Sequence, residues 1–417
     1  MSGSSVQAPK DEELAGAVSG VVSRSGLDAA LSVRLEELAE QGLARRLGVV
    51  PTNRREVRDA DGRVLLNLAG NDYLALAGDA RLARAATEAI ARHGVGSGAS
   101  RLIGAGSPVH GEAERAVASW KSAEAALLLP TGYMANVAAL QTLAGPGDTV
   151  LHDKLNHASL LDASRACGAR SRRFAHLDYA ALERKLSRLR GGGSGSDGRV
   201  VIATDAVFSM DGDAADLPAL CELADRYRAV LLVDEAHSTG VLGPTGAGLA
   251  EAQGVSERVD VSVVTASKAL GGLGGLICGS RTLIDAVIHF GRAGIYTTGC
   301  PAAQAACVAE AARVARAEPE RRETLAALSA ALRERLRGLG WRVPETKVVT
   351  PIVPVLTGSP EAATALAQRL LDGGVFAPAV RPPTVSPGAS RVRLSLRSDL
   401  TDADLERVAS ALGSADR

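Results

Sequence analysis

The sequence contains few aromatic residues, no excess of charge of either sign, and no long apolar run. Only 3% of its 417 residues are Phe, Trp or Tyr, which argues against a platform on which nucleic-acid bases could stack. Lys plus Arg and Asp plus Glu both number 47, so no polyanion or anionic membrane is indicated as a partner. No apolar run is long enough to cross a membrane. We therefore expect neither nucleic acid nor a membrane as a partner.

Cysteine is also scarce and irregularly placed. There are five cysteines, an odd number, and no two have Cys-x-x-Cys spacing. The histidines show no metal-ligand spacing either. The polar N-terminal residues are not followed by the apolar core of a signal peptide. We therefore expect reduced thiols, a cytoplasmic location and no metal.

Apolar β-branched runs alternate with helical patterns in the middle of the chain, where the strands are predicted at 200–204, 230–233 and 261–264. Helix-length crossovers between strands indicate a parallel sheet, and continuous apolar character indicates that both faces are covered. From about residue 312, long amphipathic helices flank short strands. The sequence thus predicts an α/β fold with three parts: an N-terminal tail and helix (1–65), a large domain (66–311) and a small α+β domain (312–417).

Two other segments have a recognisable pattern. Leucines on one face predict a helix from Leu27 to about Arg46. The Gly- and Ser-rich stretch from Gly191 to Gly198 predicts a surface loop before a strand.

Polar groups follow three of the predicted strands, beginning at Asp205, Asp234 and Thr265. Ligands bind outside the carboxyl ends of the strands in open α/β sheets, so these groups should meet at one edge. Lys268 lies there among small residues, where desolvation would free its amine for Schiff-base chemistry. Taken alone, however, the segment fits a surface lysine in a loop better.

Asp234 changes this balance because it directly follows a buried apolar strand. A buried carboxylate needs a cationic partner, and a protonated pyridine nitrogen supplies one while its ring accepts electrons. An Asp-Glu pair after a strand also fits a nucleotide-hydrolysing site, but the required Gly-x-x-x-x-Gly-Lys-Ser/Thr loop is absent from the sequence. The run Gly94-x-Gly96-x-Gly98 lacks the spacing of a dinucleotide loop. Asp234 and Lys268 together therefore predict pyridoxal-phosphate chemistry.

The order Asp234-x-x-His237 followed by Thr265-x-x-Lys268 resembles the α-oxoamine synthases, which are fold-type-I pyridoxal-phosphate enzymes. The resemblance runs from about Leu43 to Leu412 and includes the motifs Asn71–Leu74, Gly98–Gly104, Thr131–Asn136, Asn156–Ser159, Phe208–Gly212 and Tyr296–Thr298. It implies a large domain with a mostly parallel seven-stranded sheet between helices, and a smaller C-terminal domain. It also implies pyridoxal 5'-phosphate as the cofactor and a homodimer with a composite active site.

The resemblance further implies which residues contact the cofactor, namely Gly132, Tyr133, His157, Ser209, Asp234, His237, Thr265, Lys268, Thr297 and Thr298. The helix N-terminus at Gly132 and Tyr133 would bind the phosphate, with Thr265 adding a hydroxyl. Thr298 and Thr297 would reach the phosphate from the other subunit. His157 would stack on the ring, and His237 and Ser209 would bond its phenolic oxygen. Lys268, Asp234 and His157 are the expected catalytic residues.

Substrate contacts are expected from Arg45, Asn71, Thr384 and Arg393. The planar guanidinium of Arg393 matches an amino-acid carboxylate. Its neighbour Arg391 alternates with it on a strand, which predicts that Arg391 is a surface charge.

The segments Arg381–Val385 and Ser390–Leu394 resemble the subgroup that condenses L-alanine with a pimeloyl thioester in biotin synthesis. The thiol carrier could be coenzyme A or a carrier protein. Three alternatives stay open: another member of the family, such as one that uses glycine and acetyl-CoA; a non-catalytic subunit of the same fold; and a nicotinamide oxidoreductase.

Overall fold

The computed structural model describes residues 26–45, 54–191 and 198–415. It divides into two compact units, Met1–Gly48 and Val49–Arg417. The boundaries that we expect at 65/66 and 311/312 remain predictions. The predicted Gly-rich loop lies mostly outside the described residues, because 192–197 are not among them.

The described part of the first unit contains one helix, α1 (Leu27–Glu40), with no buried residue. It ends earlier than predicted because Gly42 takes a left-handed conformation, with φ of 65°. The backbone N–H groups of Gly42 and Leu43 then bond to the carbonyls of Ala39 and Leu38, which closes the helix C-terminus. Arg46, the predicted end, lies outside the described residues.

The second unit is built from short strands and longer helices. Its strands are β1 (Glu56–Arg58), β2 (Val64–Asn67), β3 (Ala125–Leu129), β4 (Thr149–Asp153), β5 (Arg170–Phe174), β6 (Val200–Asp205), β7 (Val230–Asp234), β8 (Val261–Thr265), β9 (Gly275–Gly279), β10 (Ile352–Gly358), β11 (Val375–Phe376), β12 (Ala379–Val380) and β13 (Ser390–Ser395). Its helices are α2 (Ala80–His93), α3 (Pro108–Trp120), α4 (Gly132–Leu143), α5 (Ala158–Ala166), α6 (Tyr179–Gly191), α7 (Leu217–Tyr227), α8 (Leu249–Ala252), α9 (Arg281–Phe290), α10 (Arg292–Ile295), α11 (Ala302–Ala317), α12 (Pro319–Gly338), α13 (Pro360–Asp372) and α14 (Asp402–Leu412).

Seven strands form the central sheet in the order β3-β9-β8-β7-β6-β4-β5. Strands β5, β4, β6, β7 and β8 run parallel, whereas β9 is antiparallel to both β3 and β8. Every residue of β6 and β8 is buried, as expected for strands covered by helices on both faces. The predicted α/β class and mostly parallel seven-stranded sheet are confirmed.

Two smaller sheets complete the unit, with strand orders β1-β2-β11 and β10-β13-β12. Leu276 of the central sheet, Leu336 of α12 and Leu394 of β13 belong to one buried apolar cluster. The C-terminal elements thus share a continuous core with the central sheet, which is why β13 can bring polar side chains towards the strand ends described next.

The carboxyl ends of the parallel strands carry the polar residues of the site. Strands β6, β7 and β8 end in Asp205, Asp234 and Thr265. Asp205 and Asp234 are directly opposite each other in the register of β6 and β7. The sheet therefore places two carboxylates side by side at the edge where a ligand would bind.

Candidate active site

A cavity of about 240 Å³ opens at the carboxyl ends of these strands. Its lining includes seven of the predicted cofactor residues, namely Gly132, Tyr133, His157, Asp234, His237, Thr265 and Lys268. These residues come from four separate segments of the chain. The sheet topology, not proximity in sequence, brings them together.

Lys268 lies in a tight turn immediately after β8. The N–H of Gly271 bonds to the carbonyl of Lys268 at 2.8 Å. Gly271 has φ of 63°, and a Cβ atom there would collide with the backbone of Leu76 and Ala77, so the turn requires glycine. Burial lowers the pKa of Lys268 to about 8, although the nearby Asp234 and Asp205 oppose this change. A sizeable fraction of Lys268 is therefore a free amine near neutral pH.

Asp234 is buried and held by two donors. The amide nitrogen of Asn136 lies 2.6 Å from its Oδ2, and the N–H of Ala236 lies 2.9 Å from its Oδ1. The side-chain oxygen of Asn136 is buried and has no hydrogen-bond partner among the described residues. An acceptor and a carboxylate thus face the cavity together, where an N–H cation could bind both.

Asp205 lies next to Asp234 and accepts a 2.8 Å hydrogen bond from the N–H of His157. Burial, together with the charge of Asp234, holds the pKa of Asp205 well above its ordinary value. Two carboxylates this close cannot both ionise cheaply in a buried site. Burial and the neighbouring charge therefore favour the protonated form of Asp205.

The N-terminus of α4 forms another wall. The Thr131 hydroxyl accepts the N–H of Met134, while the first N–H groups of a helix have no intrahelical acceptor. A Cβ atom on Gly132 would lie 3.3 Å from the Thr265 side chain, so glycine lets the helix end approach β8 closely. The hydroxyls of Thr265 and Ser267 are 2.9 Å apart. Free N–H groups and two hydroxyls form a suitable site for an anion.

The two histidines of the cavity favour the neutral state. His157 caps the N-terminus of α5, and its Nδ1 lies 2.8 Å from the Ser159 hydroxyl. Burial lowers the pKa of His157. Burial and the charge of Lys268 hold the pKa of His237 well below its usual range. His237 can therefore exchange hydrogen bonds with Lys268, whose Nζ is 2.9 Å from its Nε2.

A hydrogen-bonded chain runs from the cavity to Arg393. The other ring nitrogen of His237 lies 2.7 Å from the Tyr73 hydroxyl. Arg393 donates to that hydroxyl at 3.2 Å and to the side-chain oxygen of Asn71 at 2.9 Å. Neither Arg393 nor Asn71 lines the 240 Å³ cavity, yet both are connected to Lys268 through a chain of hydrogen bonds.

The prediction for Arg391 is wrong. Its side chain is buried, pairs with Asp211 and donates to the carbonyl of Met210 at 3.0 Å. Strand alternation correctly separates Arg391 from Arg393, but the face opposite Arg393 packs against the segment after β6 and not against solvent.

Four further predicted residues are not in the cavity lining: Ser209, Thr297, Thr298 and Thr384. Ser209 is half-buried in a turn, and Thr297 contacts the sulfur of Met134 at 4.0 Å. Thr298 and Thr384 are exposed. Arg45 is exposed in the first unit. The roles assigned to these residues remain predictions.

Sequence reasoning gave no role in the site to four residues that belong to this arrangement: Asn136, Asp205, Ser267 and Tyr73. A signal existed for the first, because Asn136 follows Gly132 by four residues and so lies on the same helix face. Asp205 ends a strand in the same way as Asp234. Tyr73 had no such signal, since its role depends on a contact with His237 more than a hundred residues away.

The donor set fits pyridoxal phosphate. A helix N-terminus with two hydroxyls suits a phosphate dianion, Asp234 suits a protonated ring nitrogen, and the amine of Lys268 suits an aldehyde. Among residues 26–45, 54–191 and 198–415, no group of three or more His, Cys, Asp or Glu side chains could hold a metal ion. In the same part of the chain, no helix has the length and apolar character needed to cross a membrane.

Comparison with known proteins agrees with this class of site. The sequence profile of aminotransferase classes I and II matches residues 63–412. The chain belongs to this family.

Curated relatives confirm the resemblance to the α-oxoamine synthases. The chain is 45% identical over 395 residues to 8-amino-7-oxononanoate synthase of Halorhodospira halophila, with 94% of this chain and 96% of the relative covered. It is 42% identical over 391 residues to the enzyme of that name from Anaeromyxobacter dehalogenans, with the same coverage.

Solved structures agree. Serine palmitoyltransferase from S. paucimobilis, with bound PLP and myriocin, superimposes with a TM-score of 0.86 at 30% identity, covering 94% of this chain and 98% of that one. The 8-amino-7-oxononanoate synthase of Francisella tularensis superimposes with a TM-score of 0.71 at 25% identity, covering 84% of this chain and 96% of that one.

Proposed function

We propose that this enzyme condenses L-alanine with a pimeloyl thioester to give 8-amino-7-oxononanoate, CO₂ and the free thiol, as a step of biotin synthesis. Relatives of that name share 42–45% identity over nearly the whole chain. The observation that carries the proposal is the shared cavity of Lys268 and Asp234. A nicotinamide oxidoreductase would need neither residue, and a non-catalytic subunit would not need the amine.

Pyridoxal phosphate is the cofactor that these residues would hold. The N-terminus of α4 with Thr265 would bind its phosphate, Asp234 its ring nitrogen, and Lys268 its aldehyde carbon. When bound, the cofactor supplies an electron sink for a carbanion at the amino-acid α-carbon.

Arg393 would bind the amino acid, and Lys268 would remove its α-proton. Arg393 is buried and offers its guanidinium to the alanine carboxylate, where Asn71 and Tyr73 fix its orientation. Lys268, with a pKa lowered to about 8, removes the α-proton as a free amine. His237, held neutral beside it, hydrogen-bonds the lysine nitrogen without adding a competing positive charge.

The reaction forms one carbon–carbon bond and breaks one carbon–sulfur bond and one carbon–carbon bond. The α-carbon of alanine forms a bond to the thioester carbonyl carbon, and the sulfur leaves as a thiolate with the electrons of the carbon–sulfur bond and takes a proton from water. The alanine carboxylate then departs as CO₂, and the ammonium of Lys268 returns a proton to the same α-carbon. No oxidant or reductant is required.

The test incubates the cofactor-loaded protein with alanine and pimeloyl-CoA and identifies the product by mass. Lys268→Ala should lower turnover by at least about 10³-fold, because the base and the covalent anchor are both lost. Lys347→Ala, at an exposed lysine, is the matched control and should leave turnover unchanged. Glycine with acetyl-CoA serves as the competing pair. Efficient turnover of that pair, with none of alanine and pimeloyl-CoA, would overturn the proposal.

We further propose a homodimer in which Thr297 and Thr298 complete the partner's phosphate site. Large apolar side chains are exposed in the segments nearby, with Val95 at 75%, Ile103 at 82% and Tyr296 at 74%. Exposed apolar clusters of this kind mark association surfaces. Sedimentation should therefore give a dimer. Thr298→Val should weaken cofactor binding without dissociating the dimer. A monomer that binds the cofactor with full affinity would contradict this proposal.

We propose a cytoplasmic location because all five cysteines are free and buried, as expected in a reducing compartment. Cell fractionation followed by immunoblotting tests it directly.

A further inference from the structure

A second cavity, of about 540 Å³, lies beside the edge strand β5. Three cationic side chains line it, namely Lys154, Arg173 and Lys185. No acidic residue of the described chain is in the lining, which otherwise consists of Leu155, Phe174, Ala175 and Ser386. The whole chain has no net charge, so this local excess of positive charge is a property of the cavity and not of the composition.

The three cations come from three different elements. Arg173 is in β5, and Lys154 follows β4, where its N–H bonds to the carbonyl of Phe174 at 3.1 Å. Lys185 lies on α6, which packs against Phe174 through Leu182 and Leu186. Packing therefore fixes the backbone beneath each cation, and the three side chains converge on one space.

None of these cations has a carboxylate within 4.0 Å in the part of the chain that the structure describes. Other exposed arginines of this unit do have carboxylate partners, such as Arg165 with Asp162 and Arg226 with Glu183. Three like charges around one cavity repel each other, so an anion that binds among them gains from all three.

Edge protection is the plain explanation for charges on a strand such as β5, because charged side chains discourage pairing with another chain. It accounts for Arg170 and Arg172, which are exposed along the same strand. It does not account for Lys154, which lies in a loop, or for Lys185, which lies on a helix. Their convergence with Arg173 requires a different reason.

The position relative to the active site suggests the ligand. Lys154 precedes the cavity-lining His157 by three residues, so their Cα atoms are at most about 11 Å apart. Another lining residue, Ser386, lies two residues after Thr384, the residue expected at the acyl substrate. The basic cavity thus lies within the reach of a thioester whose reactive carbon is at Lys268.

We propose that the cavity of Lys154, Arg173 and Lys185 binds the phosphate groups of the carrier to which the acyl thioester is attached. This inference rests on the proposed condensation for its choice of ligand. Coenzyme A and a phosphopantetheinylated carrier protein both bring phosphate esters at the end of a flexible arm. The guanidinium and the two ammonium groups would bind those oxygens through charge-assisted hydrogen bonds.

The experiment compares wild type with the double variant Arg173→Gln/Lys185→Gln and with Arg184→Gln. Arg184 is an exposed arginine on the same helix that does not line the cavity, so it is the matched control. Direct binding of coenzyme A and of pantetheine, which has no phosphate, is measured by calorimetry on the cofactor-loaded protein. The double variant should bind coenzyme A about 10- to 100-fold more weakly, since each lost charge-assisted bond costs about tenfold. Pantetheine binding should not change.

Kinetics then assign the source of the phosphate. With pimeloyl-CoA, the double variant should show a raised KM at unchanged kcat, and the effect should shrink at high salt. With pimeloyl N-acetylcysteamine, a thioester without phosphate, it should equal wild type. A KM effect with a pimeloyl carrier protein but not with pimeloyl-CoA would assign the site to the protein carrier.

Two results would overturn the proposal. One is equal coenzyme A affinity in wild type and double variant together with an unchanged KM for the pimeloyl carrier protein. The other is an equal loss with the phosphate-free thioester. Absence of condensation with every donor, while coenzyme A binding still depends on the double substitution, would instead refute the proposed function and leave the phosphate site standing.

Discussion

His176 is expected to make the free energy of unfolding of this protein fall as the pH rises into the alkaline range. Its imidazole lies between two carboxylates, with Nδ1 at 3.0 Å from Asp153 and Nε2 at 2.8 Å from Asp213. Its ring also packs edge-on against Phe208, with centroids 4.5 Å apart. Burial opposes protonation, but hydrogen bonds to both carboxylates raise the pKa of His176 to about 9. Both ring nitrogens therefore donate at neutral pH, and His176 is a cation.

The magnitude follows from this pKa. A folded-state value of about 9 against an ordinary value near 6.5 corresponds to about 3 kcal/mol of free energy of unfolding. Because the folded-state pKa is raised, this contribution is complete below the unfolded-state pKa. It is lost progressively as pH rises through about 9. His176→Gln removes the titrating group, so the difference between variant and wild type should itself depend on pH.

The assay is urea unfolding followed by circular dichroism, at a pH below 6.5 and again above 9. We expect His176→Gln to be less stable than wild type by about 3 kcal/mol more at the lower pH than at the higher. His93→Gln, at an exposed histidine, is the control and should track wild type at both values. A stability difference that stays constant between the two conditions would refute the reasoning, because it would show that His176 contributes by packing alone.

Two further substitutions test other parts of the structure. Tyr73→Phe removes the hydroxyl that links Arg393 to His237, so the KM for alanine should rise about tenfold while the cofactor stays bound; an unchanged KM would show that Arg393 needs no such support. Gly212→Ala should lower the free energy of unfolding by about 2 kcal/mol or more, because φ is 69° and the new Cβ would lie 2.5 Å from the Ile352 carbonyl oxygen. Gly338→Ala, where a Cβ meets nothing within 4 Å, should not destabilise the protein in the same unfolding assay.

Features set by local pattern were predictable from the sequence. The strands at 200–205, 230–234 and 261–265 follow from short apolar runs, and their parallel order follows from the helical crossovers. Because parallel strands end at the same edge, Asp234 and Lys268 could be assigned to one site before the fold was known. These inferences required only periodicity and the chemistry of the strand ends.

Features set by long-range contacts could not be predicted in this way. Arg391 looked like a surface charge because alternation along a strand says which residues share a face, but not what covers that face. Asp211, its partner, is 180 residues away. The same limit applies to Tyr73, because the role of its hydroxyl depends on its hydrogen bonds with Arg393 and His237. Burial of a polar group depends on the tertiary partner, and no local pattern encodes that partner.

Burial acts in opposite directions on the acid and the base of the active site, and this explains how both can work in one cavity. It raises the pKa of Asp205 and lowers the pKa of Lys268, so it favours the uncharged form of each. A site with both groups fully charged would hold its lysine as an ammonium ion, which could not attack an aldehyde or remove a proton. Because Asp205 tends to keep its proton, less negative charge acts to hold Lys268 protonated. Burial, which is the largest influence on the pKa of Lys268, is thus the structural reason that Lys268 can serve as a base near neutral pH.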